Sequence, residues 1–422
     1  MNEQPAPASP PRRRGEKQER SLARRARLAD AIVQVLASHG VAGLTHRLVA
    51  QAAGVSLAAT TYYFDSKFDM VAVASNLTLA GYAETFRRVA RSRQLSMGDY
   101  VTRLVGNAAE RDRARATCWA EVMLDAPRHQ ESLELSRRWF AELGDIWLDI
   151  ARACDAPPPA ARSAIDTSIG LLLVMLALGL TEAQIGAVLL EGKDALDAWA
   201  PTLPAAGGQP VAAPAKPTRK SAGTRERIIA AAIQILIAEG PAAVTYRTIA
   251  QQAGLTLAGP AYHFPTVEGL LGAAQERLFE ESKQRYRTVV ASMDDGPFDL
   301  ERLIDRTAAV FLREATEHAG RNLASYAVWL QAARRPELRP MVWSAIADQI
   351  RAWHRVFVRL GGSPTPLEAL LPQCMFIGKM IRLLATGSAL ADLENARRDF
   401  AFDLSSLAGQ RFWLRPKTGT HN

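Results

Sequence analysis

The stretch that decides the fold is "LTHRLVAQAAGVSLAATTYYF", residues 44–64, which returns 200 positions later as "VTYRTIAQQAGLTLAGPAYHF", residues 244–264. Many residues recur at that fixed offset, among them Gly40, Thr45 and Arg47. Self-similarity at a fixed spacing is typical of duplicated structural units. The sequence therefore predicts a tandem duplication, in which "GLLLVMLALG" (residues 170–179) also parallels "GKMIRLLATG" (residues 378–387), at an offset of 208.

The repeated stretch has the pattern of two short helices joined by a glycine turn. In each copy a glycine is placed to end an amphipathic helix and a threonine to cap the next one: Gly40 and Thr45, then Gly240 and Thr245. Hydroxyl side chains are expected to cap the third helix of both copies: Ser56 and Thr256. Thr60 and Phe64, four residues apart, should face inward. Helix, tight turn and helix is the form of a helix-turn-helix unit, whose second helix enters the major groove of DNA.

This pattern resembles the TetR family of transcriptional regulators. The first copy carries the resemblance through Thr45-x-Arg47-x-Val49-Ala50-x-x-Ala53-Gly54-Val55-Ser56 and Tyr62-Tyr63-Phe64-x-Ser66-Lys67. The second copy carries it through Thr245-x-Arg247-x-Ile249-Ala250-x-x-Ala253-Gly254 and Tyr262-His263-Phe264. Members of that family normally have one such unit and act as homodimers, so this chain departs by carrying two.

The resemblance implies an all-α fold with two TetR-like units. Each unit would have a three-helix DNA-binding domain followed by a helical ligand-binding and dimerisation domain. The expected segments are a basic disordered arm (1–21), a first cassette (22–68), a first helical domain (69–200), a linker (201–223), a second cassette (224–268) and a second helical domain (269–415). Proline, alanine and glycine dominate the linker, as is usual for such segments.

The resemblance also implies which residues contact DNA. Arg47 would present its guanidinium group to a guanine edge, a geometry that permits two hydrogen bonds. The positions of Thr45, Tyr63 and Lys67 usually contact phosphate in the family. The full expected set is Thr45, His46, Arg47, Ser56, Leu57, Ala58, Ala59, Tyr62, Tyr63 and Lys67, with Thr245, Tyr246, Arg247, Thr256, Tyr262 and His263 in the second cassette. The alternatives are a solvated arginine at position 47 and core aromatics at positions 62 and 63.

The two cassettes differ in ways that favour the first as the stronger DNA binder. In the second, Gly259 and Pro260 are expected in the middle of the third helix, where proline removes an amide donor and glycine weakens the helix. Val267 stands where the first cassette has Lys67, which removes one phosphate contact. The alternative is that Pro260 lies close enough to the start of the helix to be tolerated.

In each helical domain the resemblance implies a ligand pocket and a pairing face. Bulky side chains of the type that lines ligand sites are the candidate walls for a small apolar ligand: Trp119, Met123, Trp147, Tyr326, Trp329 and Trp353. An ordinary core position is the alternative for each of them. The pairing helices are expected at 162–180 with 182–199 and at 367–386 with 389–407. They would dock as an intrachain pseudo-dimer, although the linker also permits a homodimer of two chains.

Composition agrees with a nucleic-acid partner. The chain has 422 residues and a net charge of +8, and residues 1–30 carry eight basic and four acidic side chains. Such clustering favours an anionic partner, with a solvated tail as the alternative. The three cysteines are far apart, which is typical of a reducing cytoplasm. The first 20 residues have no apolar core, so we expect no signal peptide, and the longest apolar run is too short to cross a membrane.

No glycine-rich phosphate loop, nucleophile elbow, paired carboxylates or metal-ligand spacing is present, so the sequence predicts no enzymatic activity, no metal and no cofactor. The leading hypothesis is a cytoplasmic, sequence-specific repressor that binds double-stranded DNA and is released by a ligand. The second hypothesis is a ligand-sensing or protein-binding helical module whose second half has lost DNA binding. An enzyme is the third.

Overall fold

The computed structural model describes residues 12–90, 95–201, 219–291 and 298–409, and within these ranges the chain is helical, without β-strands. The predicted all-α fold class is therefore confirmed. The helices of the first half are α1 (Arg12–Gly43), α2 (His46–Ala53), α3 (Leu57–Tyr63), α4 (Lys67–Ala90), α5 (Met97–Ala109), α6 (Arg113–Asp125), α7 (Gln130–Ala153), α8 (Pro158–Leu178), α9 (Glu182–Leu189) and α10 (Ala195–Ala198). A 3₁₀ turn, Ala126–Arg128, joins α6 to α7.

The second half begins with four helices in the same order as α1–α4: α11 (Arg219–Ala238), α12 (Tyr246–Ala253), α13 (Ala258–His263) and α14 (Val267–Ala291). They are followed by α15 (Leu300–Thr316), α16 (Ala319–Ala332), α17 (Arg339–Arg359), α18 (Pro366–Thr386) and α19 (Leu390–Ala408). Two 3₁₀ turns, Pro241–Ala243 and Pro336–Leu338, complete the second half.

Three expected boundaries need correction or lie outside the described residues. Residues 12–21 of the expected disordered arm belong to α1, because arginine, glutamate, lysine and glutamine are good helix formers. Residues 219–223 of the expected linker belong to α11. Residues 1–11, residues 202–218 of the linker and residues 410–415 of the second helical domain lie outside the described ranges.

A glycine breaks the first helix of the first half and follows the first helix of the second half, close to the ends that the sequence predicts. Gly40 has a φ of +70° and breaks the helical path of α1, and Gly240, after the end of α11, has a φ of +84°. This left-handed region favours glycine, which has no Cβ to clash with the backbone. The chain can therefore turn from the long first helix into the short α2 or α12.

The two halves pack against each other mainly through α8 and α18. The contact depends on two glycines: a Cβ added to Gly170 would lie 1.9 Å from the carbonyl oxygen of Cys374, and one added to Gly378 would lie 1.8 Å from that of Asp166. Glycine is therefore required where each helix backbone approaches the other.

The expected partners of these helices pack elsewhere. Helix α9 lies mainly on α5, and its first amide, Glu182 N, donates at 2.7 Å to the carboxylate of Glu110, the residue that follows α5. Helix α19 lies mainly on α15 and only partly on α8. Both predicted partner helices do contact the other half, α9 on α18 and α19 on α8, but these contacts are much smaller than that of α8 with α18.

Helices α8 and α18 are long and apolar enough to cross a bilayer by length and composition. In α8 the helix extends beyond the apolar run seen in the sequence, since alanine, serine and threonine residues lengthen it toward Pro158. The most apolar windows of the two helices are 89% and 78% buried inside the protein. Such burial is typical of the core helices of a soluble fold.

Candidate nucleic-acid interface

The first cassette forms two short helices joined by a tight turn. Thr45 caps α2, its side chain accepting a hydrogen bond from the amide of Leu48 at 3.3 Å. Gly54 ends α2 with a φ of +62° and turns the chain into α3. The predicted cap and the predicted glycine turn are both confirmed.

Helix α3 has one buried and one exposed face. Thr60 and Phe64 are buried, as predicted, and the Thr60 hydroxyl donates to the carbonyl of Leu57 at 2.8 Å. Leu57, at the start of the helix, is 53% exposed, and Tyr62 is 82% exposed. Large apolar side chains exposed in this way are typical of a surface that contacts a partner.

The other expected DNA-contacting residues of the first cassette lie around α3. Arg47, Thr45, Ser56 and Ala58 are exposed, whereas His46, Ala59, Tyr63 and Lys67 are half-buried. The hydroxyl groups of Tyr63 and Ser21 are 3.1 Å apart, so Tyr63 also contacts α1. The Nδ1 atom of His46 is buried and forms no hydrogen bond within the described ranges.

Ser56 does not cap α3, contrary to expectation. Its hydroxyl forms no capping hydrogen bond, because the amide of Ala59 donates instead to the Ser56 carbonyl at 3.0 Å. The same hydrogen bond between residues three apart occurs in the second cassette, where Gly259 N donates to Thr256 O at 2.9 Å. The N-terminal neighbour of α13 is Leu257, so Thr256 is not a cap either. The next helix, α4, does have a capping box, in which the side chains of Ser66 and Asp69 each accept a hydrogen bond from the other's amide.

The second cassette presents the same exposed surface as the first. Thr245 caps α12, Arg247 is exposed, and the two large apolar residues on α13 are 66% and 83% exposed (Leu257 and Tyr262). Gly254 makes the turn with a φ of +61°. The exposure of α12 and α13 therefore follows that of α2 and α3 residue by residue.

Pro260 does not break α13. The helix begins at Ala258, so Pro260 is its third residue, and amides in the first turn have no partner within the helix. The carbonyl of Pro260 still accepts from Phe264 N at 2.9 Å. The expected mid-helix disruption is therefore absent, and the alternative that this proline is tolerated agrees with the structure.

Other residues of the second cassette have structural contacts. The Tyr246 hydroxyl donates to the Phe264 carbonyl at 2.7 Å, which ties α12 to the end of α13. Arg227 donates to the carbonyl of Ala253 at 2.6 Å and so occupies the end of α12. His263 is half-buried, and Val267 lies at the start of α14 where the first cassette has Lys67. These contacts leave fewer polar side chains free for phosphate than in the first cassette.

The candidate pocket residues separate into two groups. Tyr326, Trp329 and Trp353 line a cavity of about 370 Å³ in the second half. Trp119 and Trp147 line a cavity of only about 50 Å³ in the first half. Met123 is buried and lines neither cavity. In the first half the indoles pack against other aromatic rings, which agrees with the alternative of an ordinary core position for Trp119 and Trp147.

The larger cavity has a polar wall that sequence analysis missed. Glu314 is buried and pairs through both oxygens with Arg285, at 2.6 and 2.8 Å, and it also accepts from Asn322 at 3.1 Å. The indole N–H of Trp329 is buried and has no hydrogen-bond partner among the described residues. A groove of about 470 Å³ in the first half, lined by Tyr82, Tyr100 and three arginines, was also missed. Because these residues come from separate helices, no local motif signals either site.

Comparison with known families assigns two segments of the chain. Residues 28–74 match the model for bacterial regulatory proteins of the TetR family, and residues 299–403 match the model for a tetracyclin repressor-like C-terminal domain. These two segments are thus similar to TetR-family regulator domains. The TetR N-terminal match covers most of the first cassette, and the C-terminal match covers α15 to α18 and most of α19.

Solved structures similar to this chain correspond to less than half of it. The multidrug binding protein EbrR complexed with imidazole is 27% identical, over 44% of this chain and 89% of its own, with a TM-score of 0.34. EbrR complexed with malachite green is 28% identical, over 43% and 96%, with a TM-score of 0.33. A TetR family member from Streptomyces coelicolor A3 is 27% identical, over 44% and 97%, with a TM-score of 0.35. No curated protein matches the sequence.

Proposed function

We propose that the chain is a sequence-specific DNA-binding transcriptional regulator of the TetR type, acting in the cytoplasm as a ligand-released repressor. The observation that carries the proposal is the surface of α3, where Leu57 and Tyr62 are exposed and Arg47 lies exposed on the preceding helix. An exposed helix of this kind fits the major groove, and an arginine beside it can bind a guanine edge.

We further propose that the two halves form a pseudo-dimer within one chain. The reciprocal close approaches at Gly170 and Gly378 support it, since each half contributes the same kind of contact to the other. Arg128 of the first half donates to the carbonyl of Leu236 at 3.2 Å. Arg334 of the second half donates to the carbonyls of Leu36 and Ala37. Each half thus holds the first helix of the other, which would fix the spacing of the two cassettes on DNA.

The experiment is a selection of bound duplexes from a random pool with the full chain, followed by affinity measurements on the selected sequence. Arg47→Ala is expected to weaken specific binding by about 10- to 100-fold, the value of a good arginine–guanine contact. Lys67→Ala is expected to weaken binding to all duplexes similarly and to lower the salt dependence by about one counterion. Arg152→Ala, an exposed arginine of α7, is the matched control and should bind like the parent.

Arg247→Ala in the same assay distinguishes the two cassettes. A loss comparable to that of Arg47→Ala means that both cassettes contact bases, and the selected operator should then be asymmetric because the two exposed surfaces differ. If neither arginine affects specific binding, the proposed function is wrong. Light scattering tests the pseudo-dimer, since a dominant species of about 92 kDa, twice the 45.9 kDa chain, contradicts a self-contained monomer.

The second candidate function is a ligand-sensing or protein-binding module in which the second cassette no longer binds DNA. Two features favour this for the second cassette alone. Val267 stands where the first cassette has Lys67, and the Tyr246 hydroxyl already donates to the Phe264 carbonyl. Under this alternative Arg247→Ala leaves the affinity for DNA unchanged, whereas Arg47→Ala still lowers it.

Ligand release rests on the cavity around Tyr326, Trp329 and Trp353. Its volume of about 370 Å³ lies within the range of small-molecule sites, roughly 300–1,000 Å³. Binding of apolar candidates should quench tryptophan fluorescence, and the quench should be smaller in Trp329→Phe, since Trp353 also lines the cavity. A ligand that binds without lowering DNA affinity would contradict release as its role.

A further inference from the structure

A cluster of charges is buried where α8 meets α18, and the DNA-binding surface does not use it. The carboxylate of Asp166, on α8, is fully buried. It accepts hydrogen bonds from Lys379 Nζ at 3.0 Å and from Arg382 Nε and Nη2 at 2.7 and 3.1 Å, both on α18. The first half thus supplies the anion and the second half supplies the two cations.

The cluster is completed by acids of the second half. Lys379 Nζ also lies 2.9 Å from Asp403, and Arg382 lies within 4 Å of Asp392 and Asp399. Arg162 of the first half reaches Asp392 and Asp399, each at 3.5 Å. The basic residues of α18 therefore keep acidic neighbours of their own half, whereas the only cations within ion-pair distance of Asp166, among the described residues, come from the second half.

Asp166 is charged in this environment. Burial by itself raises the pKa of its carboxyl group, but the charges of Arg382 and Lys379 outweigh burial, and the net shift is downward. For Lys379 burial by itself lowers the pKa of the ammonium group, but the charges of the surrounding aspartates outweigh burial, and the net shift is upward. The interface thus contains an ionised carboxylate with cations on the opposite helix.

The glycine contacts define which positions of the two helices are equivalent. At the offset of 208, Gly170 corresponds to Gly378 and Asp166 to Cys374. The structure pairs them crosswise, since Gly170 meets the backbone of Cys374 and Gly378 meets that of Asp166. The two helices are therefore related by an approximate twofold symmetry that superposes each residue on its counterpart at the offset of 208.

The same offset shows what α8 would meet if it paired with another α8. The counterparts of Lys379 and Arg382 are Leu171 and Val174. Each Asp166 would then be buried against two aliphatic side chains and would have no cation. A buried charge without a partner is strongly destabilising, far more so than the loss of a surface ion pair.

We propose that the buried contact of Asp166 with Lys379 and Arg382 is a specificity lock that makes α8 accept only α18. First halves cannot pair with first halves, so the partner of a first half is always a second half, from its own chain or from a second copy. This rests on the pairing of halves in the proposed function. Its consequence is that every paired unit that contains a first half places one first cassette beside one second cassette.

The test uses the full chain with a protease site inserted in the linker, folded first and cut afterwards. A cut preparation with an N-terminal tag is mixed with an untagged, isotope-labelled cut preparation, allowed to exchange in mild urea, and captured on the tag. Mass spectrometry then counts the labelled halves that are captured. Labelled second halves should appear, and labelled first halves should be more than about 100-fold rarer.

Two variants accompany the parent. Asp166→Leu removes the charge from the first half and should let labelled first halves into the captured material, and Asp166→Asn should do so more weakly. Cys374→Ser, at the equivalent position of α18, should behave like the parent. Labelled first halves captured with the parent, or none captured with either Asp166 variant, overturn the lock alone. Separation of the two halves on cutting overturns the pairing in the proposed function, and the lock with it.

Discussion

A methyl group at position 378 should push α8 and α18 apart and destabilise the protein. A Cβ added to Gly378 would lie 1.8 Å from the carbonyl oxygen of Asp166 and 2.6 Å from its carbonyl carbon. Because non-bonded heavy atoms prefer about 3.5 Å, α8 and α18 would have to move apart by roughly 1.5 Å at their closest point. Overpacking costs about 1–3 kcal/mol and more where backbone must move. Since a backbone carbonyl cannot rotate away, we expect about 3 kcal/mol.

The higher helix propensity of alanine opposes this loss of stability. Alanine is favoured over glycine within a helix by about 1 kcal/mol, so the expected net loss for Gly378→Ala is about 2 kcal/mol. For units of 150–250 residues this lowers the melting temperature by roughly 4–8 °C. Gly170→Ala, whose Cβ would lie 1.9 Å from the Cys374 oxygen, should behave in the same way.

The sign of the change makes the test decisive. Gly272, in α14, has no heavy atom within 4 Å of an added Cβ, so Gly272→Ala should stabilise by about 1 kcal/mol through helix propensity alone. Thermal and urea unfolding of the three variants give the comparison. If Gly378→Ala stabilises as Gly272→Ala does, the close crossing of α8 and α18 is refuted.

Three further predictions concern single groups. Burial raises the pKa of the Cys118 thiol to about 12, so Cys154, which is half-buried, should react first with an alkylating reagent, as followed by mass spectrometry of peptides. The lowered pKa of Asp166 means that its stabilisation is present at neutral pH and is lost as the pH falls below the ordinary aspartate value of about 3.9, so Asp166→Asn should be less stable at neutral pH and should lose less on acidification. Arg334→Ala should speed hydrogen exchange at the end of α1, whereas Arg335→Ala, whose partner is in the second half, should not.

The sequence was sufficient for the elements whose determinants are local. Gly40, Thr45 and Gly54 act within a few residues of their own position, so the turn and cap of the first cassette were predictable. Pro260 shows the limit of this reasoning. Whether it breaks a helix depends on where α13 begins, and the start moved by one residue relative to α3.

The determinants of the interface and the cavities are not local. Asp166 meets Lys379 across 213 positions, and nothing near Asp166 in the sequence distinguishes it from a residue that merely flanks an apolar run. Tryptophans are equally ambiguous, since Trp147 is fully buried in a tight core while Trp329 lines the large cavity. Residue type indicates that a side chain will be buried, but only the arrangement of helices decides whether space remains beside it.

The arrangement of the arginines explains why the cassettes should not act independently. Arg334 lies two residues after the end of α16, the helix that carries Trp329, and it contacts carbonyls near the end of α1 and the carboxylate of Glu121 at 2.6 Å. Carbonyls at the end of a helix lack partners within it and attract cations. A shift of α16 would therefore move the support of the first cassette, while Arg128 supports the second cassette from the first half. Since the supports cross, a change beside the second-half cavity would be transmitted to the first cassette, the one with the fuller set of residues predicted to contact DNA.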